Sequence, residues 1–182
     1  MLILQGGRTP LMLTVGKGHL EVVRYLVTQG KWKDTINVGC QERTPGGGGR
    51  YLITQGSQLD VTDRGGWTPL MWAALFGHLE VVTFLVTKGS QLEAKDKDGE
   101  TALHYAARYG RIETTKWLID QGCSPWEKTK KGQTPYDLAR IDIFDSEETK
   151  KKKKEVMDFL KVKRCKCDDC VSATSHLPEK KI

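Results

Sequence analysis

Four side chains near the C-terminus have the types and the crowding of a metal site: Cys165, Cys167, Cys170 and His176 fall within twelve residues. Three thiolates and an imidazole make a tetrahedral zinc set. The Cys-x-Cys-x-x-Cys spacing is not a common finger pattern, and Lys166, Asp168, Asp169 and Ser172 leave few apolar residues to pack around an ion. The same cysteines read more readily as free thiols on a disordered tail, or as S-acylation sites beside basic residues. His19, His78 and His104 have no nucleophile or carboxylate at triad-like spacing, so they read as hydrogen-bonding histidines that tie turns. Phosphate-binding, nucleophile-elbow and zinc-protease motifs are absent from the sequence, and its glycine run has no strand-to-helix context. The expectation is a non-enzyme with no cofactor.

Charge offers a second kind of chemistry. The net charge of +6 is carried by the C-terminal end: Lys150 to Lys154, Lys161, Lys163, Arg164 and Lys166 crowd a stretch in which bases outnumber acids, while residues 1–148 balance. Such an appendage reads as a nuclear-import or polyanion patch, or as a solvated charge run. No recognition-helix motif accompanies it, so nucleic acid is not an expected partner except through this tail. Hydrophobic residues at 38% and charged residues at 29% exclude a wholly disordered chain, and apolar runs of four or five residues are too short for a signal-peptide core or a membrane span. Five cysteines, an odd number with Cys40 and Cys123 isolated, argue against a disulfide scaffold. An intracellular protein, cytoplasmic and/or nuclear, is expected.

The elements that would position any site are written in an internal period. Thr68-Pro69-Leu70-Met71-Trp72-Ala73-Ala74 recurs as Thr101-Ala102-Leu103-His104-Tyr105-Ala106-Ala107 and again from Thr134-Pro135, in steps of 33. Upstream, Thr9-Pro10-Leu11-Met12 runs through Gly18-His19-Leu20-Glu21 to Gly30, as Thr68 runs through Gly77-His78-Leu79-Glu80 to Gly89. Threonine can cap a helix that proline opens. Leu70, Ala73 and Ala74 make one narrow stripe, Gly77 breaks the helix, and Leu79, Val81, Val82, Leu85 and Val86 stripe a second one ending at Gly89. Each unit is helix, turn, helix, loop.

This pattern resembles the ankyrin-repeat family. Asp63 to Lys95 and Asp96 to Lys128 match the family's unit along their full length, and the likeness covers most of residues 7–160. It implies an all-α solenoid of stacked helical hairpins with β-hairpin-like finger loops. The implied organisation is N-terminal units over 1–62, the second of them (31–62) degenerate; two complete repeats over 63–128; a capping repeat over 129–162; and a basic, cysteine-bearing tail over 163–182, read as disordered. In the degenerate unit Thr44-Pro45 is followed by Gly46 to Gly49 and then Arg50-Tyr51-Leu52-Ile53-Thr54-Gln55-Gly56, so its first helix is essentially missing. Four glycines cannot stand in for an amphipathic helix, leaving a hinge or a deletion scar. The capping repeat has nine extra residues within Ile141 to Lys154, read as a charged loop before the second helix. The chain opens inside a unit with no polar cap, so the alternative to a free-standing interaction module is a fragment of a larger regulatory protein, such as a kinase, channel or chromatin enzyme, or a nuclear regulator that uses its basic, cysteine-bearing tail for zinc or nucleic acid.

The resemblance implies a concave groove lined by finger residues and the exposed side of each first helix. Those positions are Arg64, Trp67, Trp72, Leu75 and Phe76; Lys97, Glu100, Tyr105, Arg108 and Tyr109; and Lys130, Lys131 and Gln133. Aromatic and cationic residues together suit a protein or peptide partner bearing apolar and acidic groups, bound by a monomer. Trp72 and Tyr105 are read equally as packing residues between units. Trp67, Trp72 and Tyr105 also stand where some relatives carry a methyl-lysine cage, which would work by cation–π attraction.

Overall fold

The computed structural model of the chain describes residues 7–28 and 58–164. Two sequence features, Gly46 to Gly49 with most of the degenerate unit and the Cys165, Cys167, Cys170, His176 set, lie outside them. The described residues hold eight α-helices in four antiparallel pairs: α1 (Pro10–Gly16) with α2 (Leu20–Thr28), α3 (Pro69–Phe76) with α4 (Leu79–Thr87), α5 (Ala102–Arg108) with α6 (Ile112–Asp120), and α7 (Pro135–Leu138) with α8 (Glu147–Arg164). First helices stack on first helices, α1 on α3 on α5 on α7, and second helices form the outer layer, α2 on α4 on α6 on α8. The fold is an all-α repeat solenoid.

Three of the four first helices open on the same device, and α5 keeps the threonine but has Ala102 in place of the proline. Thr9, Thr68 and Thr134 accept from the amide three residues on through Oγ1, each at 3.3 Å, and Pro10, Pro69 and Pro135 occupy the first helical position. The residue at the third helical position answers back to the threonine amide: the Met71 sulfur at 3.4 Å, His104 Nδ1 at 3.2 Å and Asp137 Oδ2 at 2.9 Å. Burial follows the stripes. Leu70, Met71, Ala73, Ala74, Val81, Val82 and Leu85 of the central pair join Leu103, Tyr105, Ala106 and Leu118 in one core.

The fingers between units close at the same step of 33. Asp63, Asp96 and Thr129 donate their amides to Trp67, Glu100 and Gln133 carbonyls at 3.1, 3.0 and 2.9 Å. Their side chains take the two amides inside each turn: Asp63 Oδ1 from Gly65 and Trp67, Asp96 Oδ1 from Asp98 and Glu100, Thr129 Oγ1 from Lys131 and Gln133. Neighbouring fingers then bond to each other, Lys97 N to Gly65 O at 3.3 Å and Lys130 N to Asp98 O at 2.9 Å. Gly99 permits this approach: its φ is +79°, and a Cβ there would stand 3.1 Å from the Lys130 amide nitrogen. The fingers are turns joined by single bonds, with no strand assigned among the described residues.

Units are also stapled at the opposite edge. His78 bonds the Gly16 carbonyl through Nε2 at 3.2 Å, and Arg111, at the corresponding place one unit on, donates Nε to the Leu75 carbonyl at 2.9 Å. Both satisfy the open C-terminal end of the preceding first helix. His19, the third Gly-His or Leu-His histidine, is exposed.

The structure departs from expectation at two places. The stack passes straight from α1–α2 to α3–α4, with α1 against α3, α2 against α4 and Gly16 beside Phe76. No helical pair therefore separates them in the line of the solenoid. The charged insertion, read as loop as far as Lys154, is loop only up to Ser146; α8 begins at Glu147. Ser146 starts it, its carbonyl accepting from Lys150 N at 2.8 Å and its hydroxyl from Thr149 N at 3.3 Å. Glu147–Lys150 and Glu148–Lys152 pairs, at 2.7 and 2.5 Å, then favour helix over loop in a stretch that reads as a plain charge run. The run does not form a continuous cationic face, because Lys153 is buried and Lys150 and Lys152 are paired. Among the described residues, no helix is long and apolar enough to cross a membrane.

His104 makes stability pH-dependent. Its Nδ1 accepts from the Thr101 amide and its Nε2–H donates to the Glu127 carbonyl at 3.1 Å, an arrangement only the neutral ring can make. Burial pushes its pKa below the ordinary 6.5, outweighing the nearby Glu100 charge. The unfolded chain therefore binds a proton that the folded one excludes, so this contribution is complete above the ordinary value and is lost as pH falls below it. Urea midpoints measured across that range should fall on acidification, and His104→Gln should flatten the fall.

Candidate protein-binding groove

The concave face combines the finger row with the inner surface of the first helices. On the fingers, Arg64, Lys97, Lys130 and Lys131 are exposed cations. Lys130 Nζ also reaches across to the Lys97 carbonyl at 2.6 Å, holding the row together. On the helices, Phe76 and Tyr109 end α3 and the cap of α5 one unit apart, 40% and 42% exposed. The four cations lie on the fingers that precede the first helices, and the aromatic pair lies where those helices end, so the two groups border the inner face from opposite edges. Gln133 is half-buried at the far end of the finger row, its amide held by the Thr129 hydroxyl.

Three residues expected on this face are not available to a ligand. Tyr105 is 1% exposed and its hydroxyl donates to Asp96 Oδ2 at 2.5 Å; burial, then Asp96, push its pKa far above the usual phenol range. Leu75 is buried in the core, its carbonyl taken by Arg111. Glu100 is buried and ion-paired with Arg108, so Arg108, half-buried, spends its charge inside the protein. For Tyr105 the cause is that the finger residue of one unit lies over the first helix of the next. Trp67 covers Tyr105, ring centroids 4.2 Å apart, and Arg8, in the finger before, lies 4.4 Å over the Trp72 ring.

That packing also removes the aromatic cage. Trp67 stands 5.0 Å from Trp72 and 4.2 Å from Tyr105, so the rings touch one another. An ammonium must come within about 6 Å of several ring faces at once, which needs a gap between them. The open face of Trp72 is already taken by Arg8, and Trp72 Nε1 is buried with no hydrogen-bond partner. Trp67 and Trp72 are half-buried packing residues at the groove's edge.

Two exposed features were not anticipated, one on this face and one away from it. Arg8 is one; it precedes Trp67 by the interval that separates Thr9 from Thr68, a signal the sequence contained. The other is the loop between α7 and α8, where Ile143 and Phe144 are 87% and 93% exposed. Cys123, a free cysteine, is buried, its thiol pushed up to about 11 by desolvation, which leaves it a packing residue.

Comparison with known families accounts for this architecture. A model described as ankyrin repeats, in three copies, matches residues 48–139, and a single ankyrin-repeat model matches residues 6–38. A search of the curated proteins found no match. The first match alone spans half of the 182 residues, and the second reaches the pair α1–α2 that stacks on it. The chain belongs to the ankyrin-repeat family.

Proposed function

We propose that the chain is a non-catalytic interaction module that holds an acidic, partly apolar peptide or protein segment along its concave face. Ankyrin repeats are generally protein-interaction modules, and generally not catalysts. The observation that carries the finer reading is that exposed Phe76 and Tyr109 border one edge of the inner face and exposed Arg64, Lys97, Lys130 and Lys131 border the other. Aromatic side chains lose little conformational freedom on binding and dominate interface energetics, while a mainly cationic rim, in which Asp98 is the exposed acid of the middle finger, sets partner choice and on-rate. Each finger is closed by its own hydrogen bonds and tied to its neighbour, so the face is organised before a ligand arrives. Such a module suits recruitment within a larger regulatory protein in the cytoplasm or nucleus.

The test compares wild type with a Phe76→Ala, Tyr109→Ala double variant as bait in cell extract, after both show the same helical circular dichroism and urea midpoint. Specific prey should be lost, and a Lys97→Glu, Lys130→Glu variant should lose the same prey with a weakened salt dependence. Unchanged prey in both variants would move binding off this face.

A further inference from the structure

The chemistry that this groove selects, apolar side chains beside a carboxylate, stands exposed on the chain itself. In the loop between α7 and α8, Ile143 and Phe144 are almost wholly in water, and the Asp142 side chain beside them is 72% exposed. The loop is held in shape. Asp142 N donates to Asp145 Oδ2 at 2.8 Å, and Asp145 N returns to the Asp142 carbonyl at 3.1 Å. Lys153, buried in α8, gives its Nζ to Asp145 Oδ2 at 2.7 Å and to the Arg140 carbonyl at 3.3 Å, and pairs more loosely with the exposed Asp142 carboxylate at 3.8 Å. A lysine withdrawn from water to anchor a turn, whose tip then presents two large apolar residues, is a costly arrangement for a mere connector. Its anchor is set by register: Lys153 stands in α8 where His78 and Arg111 stand in earlier units.

We infer that the loop of residues 141–146 of one copy seats in the groove of a second copy, Phe144 and Ile143 against Phe76 and Tyr109, Asp142 toward the Lys97 and Lys130 fingers. This rests on the concave face being the ligand-binding face. Charge complementarity favours it over loop-against-loop pairing, which would oppose Asp142 to itself. Ligand and receptor patches lie on different parts of the molecule, so the contact is heterologous and joins copies head to tail instead of closing a symmetric pair. The monomer expected from sequence is then the dilute limit of a concentration-dependent assembly, and a partner that takes the groove dissolves it.

Sedimentation velocity of the full chain at increasing concentration tests this. The weight-average mass should rise with concentration and fall back with added salt. An Ile143→Ser, Phe144→Ser variant, altered only at exposed positions, should associate at least about tenfold more weakly. A Lys97→Glu, Tyr109→Ala variant should do the same. Mixing the two variants decides the geometry, since one intact loop and one intact groove remain between them: a dimer should form that neither gives alone. A wild type that stays monomeric, a mixture that stays monomeric, or association that survives the loop variant and disappears in Tyr25→Ser at the exposed end of the stack overturns the inference. Should wild type stay monomeric while the Phe76→Ala, Tyr109→Ala bait still loses its prey, the self-contact falls and the groove stands; if the prey is retained as well, both fall.

Discussion

Replacing Tyr105 by alanine should cost about 4 kcal/mol of stability, the loss that removing a fully buried aromatic ring incurs when its surroundings cannot collapse into the space. The ring fills a slot between Trp67, 4.2 Å away, and the core of α5, and its hydroxyl satisfies Asp96. Asp96 in turn organises a finger by accepting the Asp98 and Glu100 amides. The alanine variant thus opens a cavity and strips a buried carboxylate of its donor in one step. Tyr105→Phe separates the two effects: the ring stays, and the unmet carboxylate oxygen alone should cost about 1 to 3 kcal/mol. Tyr109→Ala, four residues on and 42% exposed, should leave the urea midpoint nearly unchanged while weakening ligand binding. Urea unfolding of the three variants beside wild type measures all of this. A Tyr105→Ala protein as stable as wild type would mean that the phenol faces a ligand after all.

The contrast between these two tyrosines marks where the sequence was legible. The helix pairs, caps and finger turns could be read because each is specified inside one unit and repeated: threonine before proline, glycine between helices, Asp63, Asp96 and Thr129 at a step of 33. What one unit's pattern does not contain is the contact between units. Tyr105 occupies a first-helix position that the family resemblance places in the groove, yet it is buried because the preceding finger carries tryptophan there. Leu75 instead is buried in the core, and Glu100 by its pairing with Arg108 inside its own unit. In the last unit, a run of five lysines reads as uniformly solvated, but Lys153 falls at the position that staples units together and has Asp145 within reach. The two apolar side chains at the tip of that insertion were hidden among charges, and only the geometry shows them unopposed.

Excising residues 31–56 should yield a folded protein more stable than the parent, by about 2 kcal/mol. The prediction follows from register. Thr9 and Thr68 begin helices that pack directly on one another, yet they are 59 residues apart where other neighbours are 33 apart; the excess is 26. Arg24-Tyr25-Leu26-Val27-Thr28-Gln29-Gly30 and Arg50-Tyr51-Leu52-Ile53-Thr54-Gln55-Gly56 are near-identical, and they too are offset by 26. Joining Gly30 to Ser57 gives Gly-Ser-Gln-Leu-Asp, the counterpart of Gly89-Ser90-Gln91-Leu92-Glu93, and the chain already re-enters the stack there, with Leu59 buried and Asp60 Oδ1 accepting the Gln91 amide at 3.0 Å. The excision thus shortens the connection from Thr28 to Gln58 to a few residues without moving a described contact. Each halving of a closed loop saves roughly 0.6 kcal/mol, and a little over three halvings are involved. Chemical unfolding of the excised chain against the parent measures the gain. A loss of stability would mean instead that the excised residues cover the outer face of α2, where Val22 is 43% exposed although its counterpart Val81, roofed by α2, is 1% exposed. The sign of that one difference therefore separates a unit looped out of the solenoid from one that caps it.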